Sequence, residues 1–451
     1  MENRVVDMRA AVRAALVADE PVPATLLTRG ARPGVAQALA ELRPDELARL
    51  LARFGDEPLA DLLAEIDPFD AARLLGKLSR AQAADVVEEM DPDDAADIVG
   101  ELHPADAEAI LGEMTPNEAD DVRQLLAYPP DSAAGLMTPD FVAIAPYLAV
   151  DEALAQLGRV AEEAETVYYV YVTDPASGCL LGVLSLRNLV LAPRWKLVSQ
   201  VMSTDVVRVR ADADAETAAL LLKEHHFLAL PVVDEAGRLL GIITADDASD
   251  VLLDEAAEDI ERLGGSQPLE EPYLRASVGH LFRKRIGWLL VLFLAEAYTG
   301  TVLRHFEDTL TQMVSLAFFI PLLIGTGGNT GSQTVTTLVR AMATGDVQLH
   351  DFWLVVRREL TVGALLGGIM ALATYLRAWT LGVGLEVGPV VAVTAGFIVV
   401  WAAVVAAALP ILLRRLRIDP AVVSGPFITT LVDGTGLFMY FTIARLMLGL
   451  R

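Results

Sequence analysis

From about residue 286 the chain returns five times to an apolar stretch long enough to cross a bilayer, at 286–303, 312–340, 354–380, 389–413 and 422–449. Backbone in lipid must satisfy its own hydrogen bonds, so these stretches specify a bundle of membrane helices. The rest of the chain has the opposite character. Up to residue 275 it carries 52 Asp and Glu against 22 Lys and Arg, a net of −30; beyond it 9 face 13, a net of +4, which together make the −26 of the whole. That excess repels polyanions, so the soluble part binds no nucleic acid and takes cations as its natural partners. A single cysteine, Cys179, rules out an intrachain disulfide, and the six histidines are scattered without metal-site spacing. Met1 to Ala18 hold Arg and Asp and no apolar core, so no cleavable signal peptide is expected and a later segment directs insertion.

Placing the acidic part in the cytosol sets Arg283, Lys284, Arg285, Arg340, Arg357, Arg358, Arg414, Arg415 and Arg417 on the inner face. Arg304, Arg377, Arg445 and Arg451 fall on the outer one. Nine against four obeys the positive-inside rule. The expected topology is multi-pass, with the N-terminus cytoplasmic and, after five spans, the C-terminus outside.

Asp433 lies deep in the last apolar stretch with no basic residue near it in sequence. A charge at mid-membrane costs roughly 2.5–3.5 kcal/mol, so such groups face a water-filled path or a cation, or else stay protonated or capped by a neighbouring helix. The second stretch contains Pro321-Leu-Leu-Ile-Gly-Thr-Gly-Gly-Asn329-Thr-Gly-Ser-Gln and the fifth Pro426-Phe-Ile-Thr-Thr-Leu-Val-Asp433-Gly-Thr-Gly. Gly and Pro in these positions predict broken helices lining a cavity, while the same small residues also serve close helix packing. Glu359, beside Arg357 and Arg358, reads as an interfacial charge; Glu296 suits a structural hydrogen bond or the ion path equally.

From Glu41 to about Tyr128 the sequence repeats every twelve residues, as in Ile66-Asp-Pro-Phe-Asp-Ala-Ala, Met90-Asp-Pro-Asp-Asp-Ala-Ala and Met114-Thr-Pro-Asn-Glu-Ala. Each unit reads as a helix start: Asp67, Asp91 or Thr115 as cap, proline next, and Asp70, Asp94 or Glu118 completing a capping box. Units this short bury no face alone and should stack as a helical solenoid. Asp91, Asp93, Asp94 and Asp97 form a denser patch than capping needs.

From Gly135 to Val251 a longer unit, strand, helix, strand, strand, helix, occurs twice. Leu136-Met-Thr-Pro-Asp is echoed by Val201-Met-Ser-Thr-Asp, and Leu180-Leu-Gly-Val-Leu-Ser by Leu239-Leu-Gly-Ile-Ile-Thr. This resembles a tandem pair of CBS domains, with Gly241-Ile-Ile-Thr-Ala-Asp as its most specific signature. The resemblance implies that Thr244 and Asp247 hold the ribose of an adenine nucleotide such as ATP. The first copy has Ser185 and Asn188 in those places, so one nucleotide site at most is implied.

The run from Asp246 to Glu261 carries eight acids in sixteen residues and no base until Arg262. On a helix Asp246, Asp250, Asp254 and Glu258 form one stripe at i, i+4 spacing, and like charges so placed each cost a few tenths of a kcal/mol. This stripe joins the paired module to the membrane part, and a second acidic patch lies in the repeat. Two such surfaces approach only with divalent cations between them. Carboxylate oxygens suit hard ions such as Mg2+ and Ca2+.

In this order of modules, with Gly-Gly-Asn-Thr-Gly-Ser-Gln in the second span and Asp-Gly-Thr-Gly in the last, the whole chain resembles the MgtE family of magnesium channels. The resemblance implies an all-α N-terminal helical repeat domain (1–130), an α/β tandem CBS domain pair (131–250), a linking helix (251–280) and a five-helix α transmembrane domain (281–451). It implies a homodimer in the plasma membrane with its pore between protomers, Asp433 binding hydrated Mg2+ there and Asn329 beside it. Asp91, Asp247, Asp250, Glu255, Glu258, Asp259 and Asp419 would bind regulatory Mg2+ that holds the pore shut, with Asp246 and Asp254 on the same stripe. No nucleophile, base and orienting group come together in the sequence, so an enzyme is not expected. The alternative is an ion-coupled secondary transporter for Mg2+ or for Co2+ or Mn2+.

Overall fold

The computed structural model describes Leu39 and residues 55–450 other than 162–163, 270–272, 275, 384, 417 and 421–423. Met1 to Ala18, the start of the repeat at Glu41, Arg417, Val422 and Arg451 therefore lie outside the described residues. The chain forms two compact units, Met1–Asp254 and Glu255–Arg451.

The first unit opens with short helices in series: α1 (Asp56–Ala64), α2 (Pro68–Leu75), α3 (Arg80–Glu88), α4 (Pro92–Gly100), α5 (Pro104–Leu111) and α6 (Pro116–Leu126). At eight to eleven residues none would persist alone in water, so their stability comes from packing. Each lies against the helix two places along, α1 on α3, α2 on α4, α3 on α5 and α4 on α6, as the twelve-residue repeat predicts. The apolar face is built mainly from Ala, Val and Leu, including Leu62, Leu63, Leu75, Ile98 and Val99. The capping expectation holds at Asp67, whose carboxylate accepts the Asp70 amide at 3.3 Å, and fails at Asp91 and Thr115, whose side chains accept no cap hydrogen bond. At Thr115 the backbone N–H is instead taken up by the Glu88 carboxylate, and the Asp91 carboxylate faces a cavity.

Two three-stranded sheets follow. The first comprises β1 (Ala143–Ile144), β2 (Tyr169–Thr173) and β3 (Leu180–Ser185), with α7 (Val150–Val160) and α8 (Leu186–Leu191). The second comprises β4 (Val209–Arg210), β5 (Ala229–Val233) and β6 (Leu239–Thr244), with α9 (Ala215–His225) and α10 (Ala245–Leu263). In both, the first strand pairs parallel with the second and the second antiparallel with the third. The copies exchange their leading segments: Thr138 bridges to Ile242 of the second sheet and Ser203 to Val183 of the first. Glycine is required at each crossing. A Cβ on Gly241 would sit 2.6 Å from the Thr138 carbonyl oxygen, and one on Gly182 2.8 Å from that of Ser203.

In the second unit five helices are long and apolar enough to cross a membrane: α11 (Val278–His305), α12 (Ile320–Ala343), α13 (Phe352–Leu381), α14 (Val387–Arg415) and α15 (Gly425–Leu448). α11, α13 and α14 extend beyond the apolar stretches 286–303, 354–380 and 389–413, whereas α12 and α15 are shorter than 312–340 and 422–449. The second span, Val314–Ala343, turns from 3-10 to α-helix at Phe319–Ile320, but the glycine runs of the second and fifth spans lie within continuous helix in α12 and α15. Pro321 and Pro426 stand in the first turn, where the missing N–H costs nothing. The interior glycines are consumed by packing. A Cβ on Gly327, Gly328 or Gly331 would meet Ile398, Thr429 or Ile428 at 2.7, 2.7 and 2.4 Å, whereas Gly325 has nothing within 4 Å. Among the described residues Pro410 of α14 is the proline inside a helix. Trp353, Trp379 and Phe293 project from the bundle more than 70% exposed, as lipid-facing side chains do.

Candidate cation sites

In the first unit the acids of three modules converge. A cavity of about 850 Å3 is lined by Asp61, Glu65 and Asp67 of the first repeats, Asp91, Asp93, Asp94 and Asp97 of α4 and its cap, Glu165 of the paired module, and Asp246, Asp247, Asp250 and Asp254 of α10. No Lys, Arg or His is among the described lining residues. The sequence marks the α4 patch and the α10 stripe; nothing in it marks Glu165 or Asp61, which only the fold carries to this wall.

Burial and like charge act together on these groups. Burial first, then Asp247, lifts Asp94 to about 7, Asp97 to about 6 and Glu165 to about 8. Asp93 is raised well above its usual range by burial, with Glu165 and Asp247 adding to it. Asp247 is itself raised by burial, against which the Thr244 hydroxyl donates a hydrogen bond to its carboxylate. Asp91 is raised by burial, then by Asp61 and Asp246, and Asp254 by burial, then by Asp250 and Asp67. Asp247 thus acts on four neighbours, while Asp93 Oδ1 and Glu165 Oε2 are shut off from solvent without a hydrogen-bond partner. Oxygen-only donors with free lone pairs fit a hard divalent cation. Among the described residues no three His, Cys, Asp or Glu side chains already converge as a coordination sphere. An ion that keeps most of its water, as Mg2+ does, needs no such convergence.

The second half of α10 differs. Arg262 donates to Glu258 at 2.6 Å and to Asp419 at 3.0 Å, both partly exposed, so these two acids are already neutralised in part. Asp259 is raised by burial, then by Asp419, with Arg262 opposing. Glu258 thereby leaves the stripe that Asp246, Asp250 and Asp254 share, and Glu255 is likewise not among the lining residues of the acidic cavity.

Thr244 is 4% exposed and its hydroxyl is bonded to Asp247, which faces the acidic cavity. A cavity of about 710 Å3 in the paired module is lined by Tyr168, Tyr169, Ser185, Leu186 and Arg187 of the first copy and Leu228 of the second, among others; Thr244 and Asp247 do not line it.

Within the bundle Asp433 is 8% exposed, makes no ion pair among the described residues, and leaves Oδ1 without a hydrogen-bond partner. The charge that acts on it is the carboxylate of Glu296 on α11. Asn329 lies exposed on α12, three residues before Ser332, whose hydroxyl bonds the Gly425 carbonyl at the start of α15 at 3.4 Å. Glu359 accepts from Thr334 at 3.5 Å.

Three parts of the chain match known families: residues 31–131 the MgtE intracellular N domain, 198–254 the CBS domain, and 320–443 MgtE, described as a divalent cation transporter. The magnesium transporter MgtE of Thermus thermophilus is 45% identical over 327 residues, 72% of either chain. Those of Enterococcus faecalis and Bacillus subtilis are each 34% identical, over 72% of this chain and 71% of theirs. Among solved structures, the cytosolic domain of the Mg2+ channel MgtE in complex with ATP is 37% identical, covering 48% of this chain and 94% of that one at a TM-score of 0.42. The chain belongs to the MgtE family of divalent cation transporters, membrane proteins and not enzymes.

Proposed function

We propose that this chain is a Mg2+ channel of the plasma membrane, a homodimer that admits Mg2+ at Asp433 and is closed by Mg2+ bound to its acidic cytosolic part. The observation that carries the reading is Asp433 itself, a buried carboxylate in a membrane helix with a free oxygen and no basic partner among the described residues. Mg2+ gives up water reluctantly and prefers one or two carboxylates, so one aspartate per protomer about a two-fold axis would recognise the hydrated ion. Asn329 is the second polar group assigned to that path. Broken helices would have suited a channel and an ion-coupled transporter alike, so the continuous glycine runs of α12 and α15 do not separate the two.

Regulation follows from repulsion. Mg2+ in the cavity of Asp91, Asp93, Asp94, Asp97, Glu165, Asp246, Asp247, Asp250 and Asp254 holds acidic surfaces together; without it they separate, and α10 carries the change to the segment where Arg262 meets Asp419. To move a channel from 1:99 to 99:1 takes about 10⁴-fold tighter binding to the closed state, which several ions can share. A wide cavity of many weak carboxylates is suited to that. The N-terminus is then cytoplasmic and the C-terminus outside. The deciding experiment is Mg2+ flux into liposomes from the wild type and Asp433→Ala: loss of flux is expected, and unchanged flux sinks the assignment.

A further inference from the structure

The first membrane helix holds a polar group that its neighbours' pattern does not explain. Many threonines of the bundle satisfy their hydroxyls on the carbonyl one turn back: Thr326 on Leu322, Thr330 on Thr326, Thr394 on Val390, Thr429 on Gly425 and Thr435 on Leu431, at 2.7–3.0 Å; Thr374 of α13, buried and without a partner, is one exception away from Asp433's helix contact with α11. Even Thr301, two residues further along α11, donates to Ala297 at 3.1 Å. Thr299 does not. It is 6% exposed, and its Oγ1 is sealed from solvent with no hydrogen-bond partner. A buried hydroxyl without a partner costs on the order of 1–3 kcal/mol, and here a local remedy used by its neighbours is left unused.

Its location gives the reason. Thr299 Oγ1 lies 3.1 Å from where a Cβ on Gly434 would stand, and Tyr298 Cδ1 2.4 Å from that same point. Gly434 follows Asp433, whose Oδ1 is the other orphaned oxygen at this contact of α11 with α15. Glu296, which acts on Asp433, stands three residues before Thr299 on the same helix. The Thr299 hydroxyl and the Asp433 carboxylate are each left without a partner at this helix contact and do not bond one another, and with a second carboxylate in range they call for a source of protons and positive charge. The water shell of a divalent cation supplies both.

We propose that α11 is part of the ion path: the Thr299 hydroxyl accepts from the hydration shell of the cation held at Asp433, and Glu296 adds negative charge to the same face. This rests on Asp433 being the ion site, and the test separates the two. The full chain is reconstituted in liposomes as Thr299→Val, which keeps the shape, Thr299→Ser, which keeps the hydroxyl, and Asp433→Asn. Flux of Mg2+ and of Ca2+ is followed against concentration. Thr299→Val is expected to raise the half-saturating Mg2+ concentration about ten-fold, the effect of one hydrogen bond in a charged site, and to change the Mg2+ to Ca2+ ratio. Thr299→Ser should stay within about two-fold of wild type by the same reasoning. Wild-type behaviour of the valine variant overturns the proposal, and so does a serine variant as impaired as the valine one, since that would be packing. If the valine protein does not fold, Thr299→Ala against Thr299→Ser decides on the same criteria. Flux retained in Asp433→Asn would break the parent reading whatever Thr299 does.

Discussion

The two acidic regions solve opposite problems. At Asp433 a single carboxylate is held by a rigid contact of helices, α12 and α15 meeting through Gly328 and Thr429 and α11 and α15 through Tyr298 and Gly434. In the cytosolic cavity twelve carboxylates surround about 850 Å3, and burial, with the charge of Asp247 added, raises Asp94 to about 7 and Glu165 to about 8. One geometry favours recognition of a particular hydrated ion; the other favours counting ions by relief of repulsion. On the proposed reading, the number of carboxylates and the rigidity of their setting would serve different tasks in one chain.

The largest expected effect is at the lone site. Removing a group with no substitute should lower Mg2+ flux in Asp433→Ala by about 100-fold or more, on the scale of deleting a charged partner in a buried site. Flux within a few-fold of wild type would erase the contrast. The cavity should respond differently, because its charges back one another up. Asp247 is the exception, acting on Asp93, Asp94, Asp97 and Glu165. Asp247→Asn should raise the Mg2+ concentration that closes the channel about ten-fold, equivalent to 1.4 kcal/mol of lost ion binding, and at the same time stabilise the ion-free protein to heat. Both signs must appear together; a variant that loses regulation and stability alike would make Asp247 a structural residue.

The pH dependence sharpens the same comparison. Asp94, Asp97 and Glu165 have folded values raised to about 7, 6 and 8, above those of free carboxyls. Their contribution to stability is therefore fully present below about pH 4 and is lost as pH rises through 6 to 8. The ion-free cytosolic part should lose protection from hydrogen exchange across that window, and added Mg2+ should restore it. Since cation binding expels the same protons, closure should need about ten-fold less Mg2+ per pH unit for each proton displaced, levelling off near pH 8. Inhibition independent of pH between 6 and 8 would remove these carboxyls from the sensor.

How much of this was legible depended on the distance over which each signal acts. The five spans were found because apolar length is a property of contiguous sequence; 354–380 became Phe352–Leu381 and 389–413 became Val387–Arg415. The acidic stripe on α10 was legible for the same reason, but its end was not: Glu258 reads as part of the stripe, and only the structure shows it paired with Arg262 one turn on. Glu165 gave no signal because its importance comes from a wall built by helices far away in sequence. The glycines of α12 misled. In water a Gly-Thr-Gly-Gly run weakens a helix, but in a bundle the backbone has no water to turn to and the missing side chains admit neighbouring helices.

Those glycines give the smallest of the expected effects. Gly325 and Gly328 are indistinguishable as sequence, three residues apart in the same run, yet the space around them differs: open at Gly325, and 2.7 Å from Thr429 Cγ2 at Gly328. Alanine at 325 gains helix propensity of up to about 1 kcal/mol and meets no atom. Alanine at 328 must push Thr429, whose hydroxyl is tied to the Gly425 carbonyl at 3.0 Å and which therefore cannot turn away without losing that bond. Overpacking of this kind costs about 1–3 kcal/mol, so Gly328→Ala should melt several degrees below wild type and Gly325→Ala at or slightly above it in the same detergent. Equal melting temperatures would mean that α12 and α15 are not held at this separation. The rigid half of the comparison, and with it the distinction between a recognising site and a counting one, would then have to be given up.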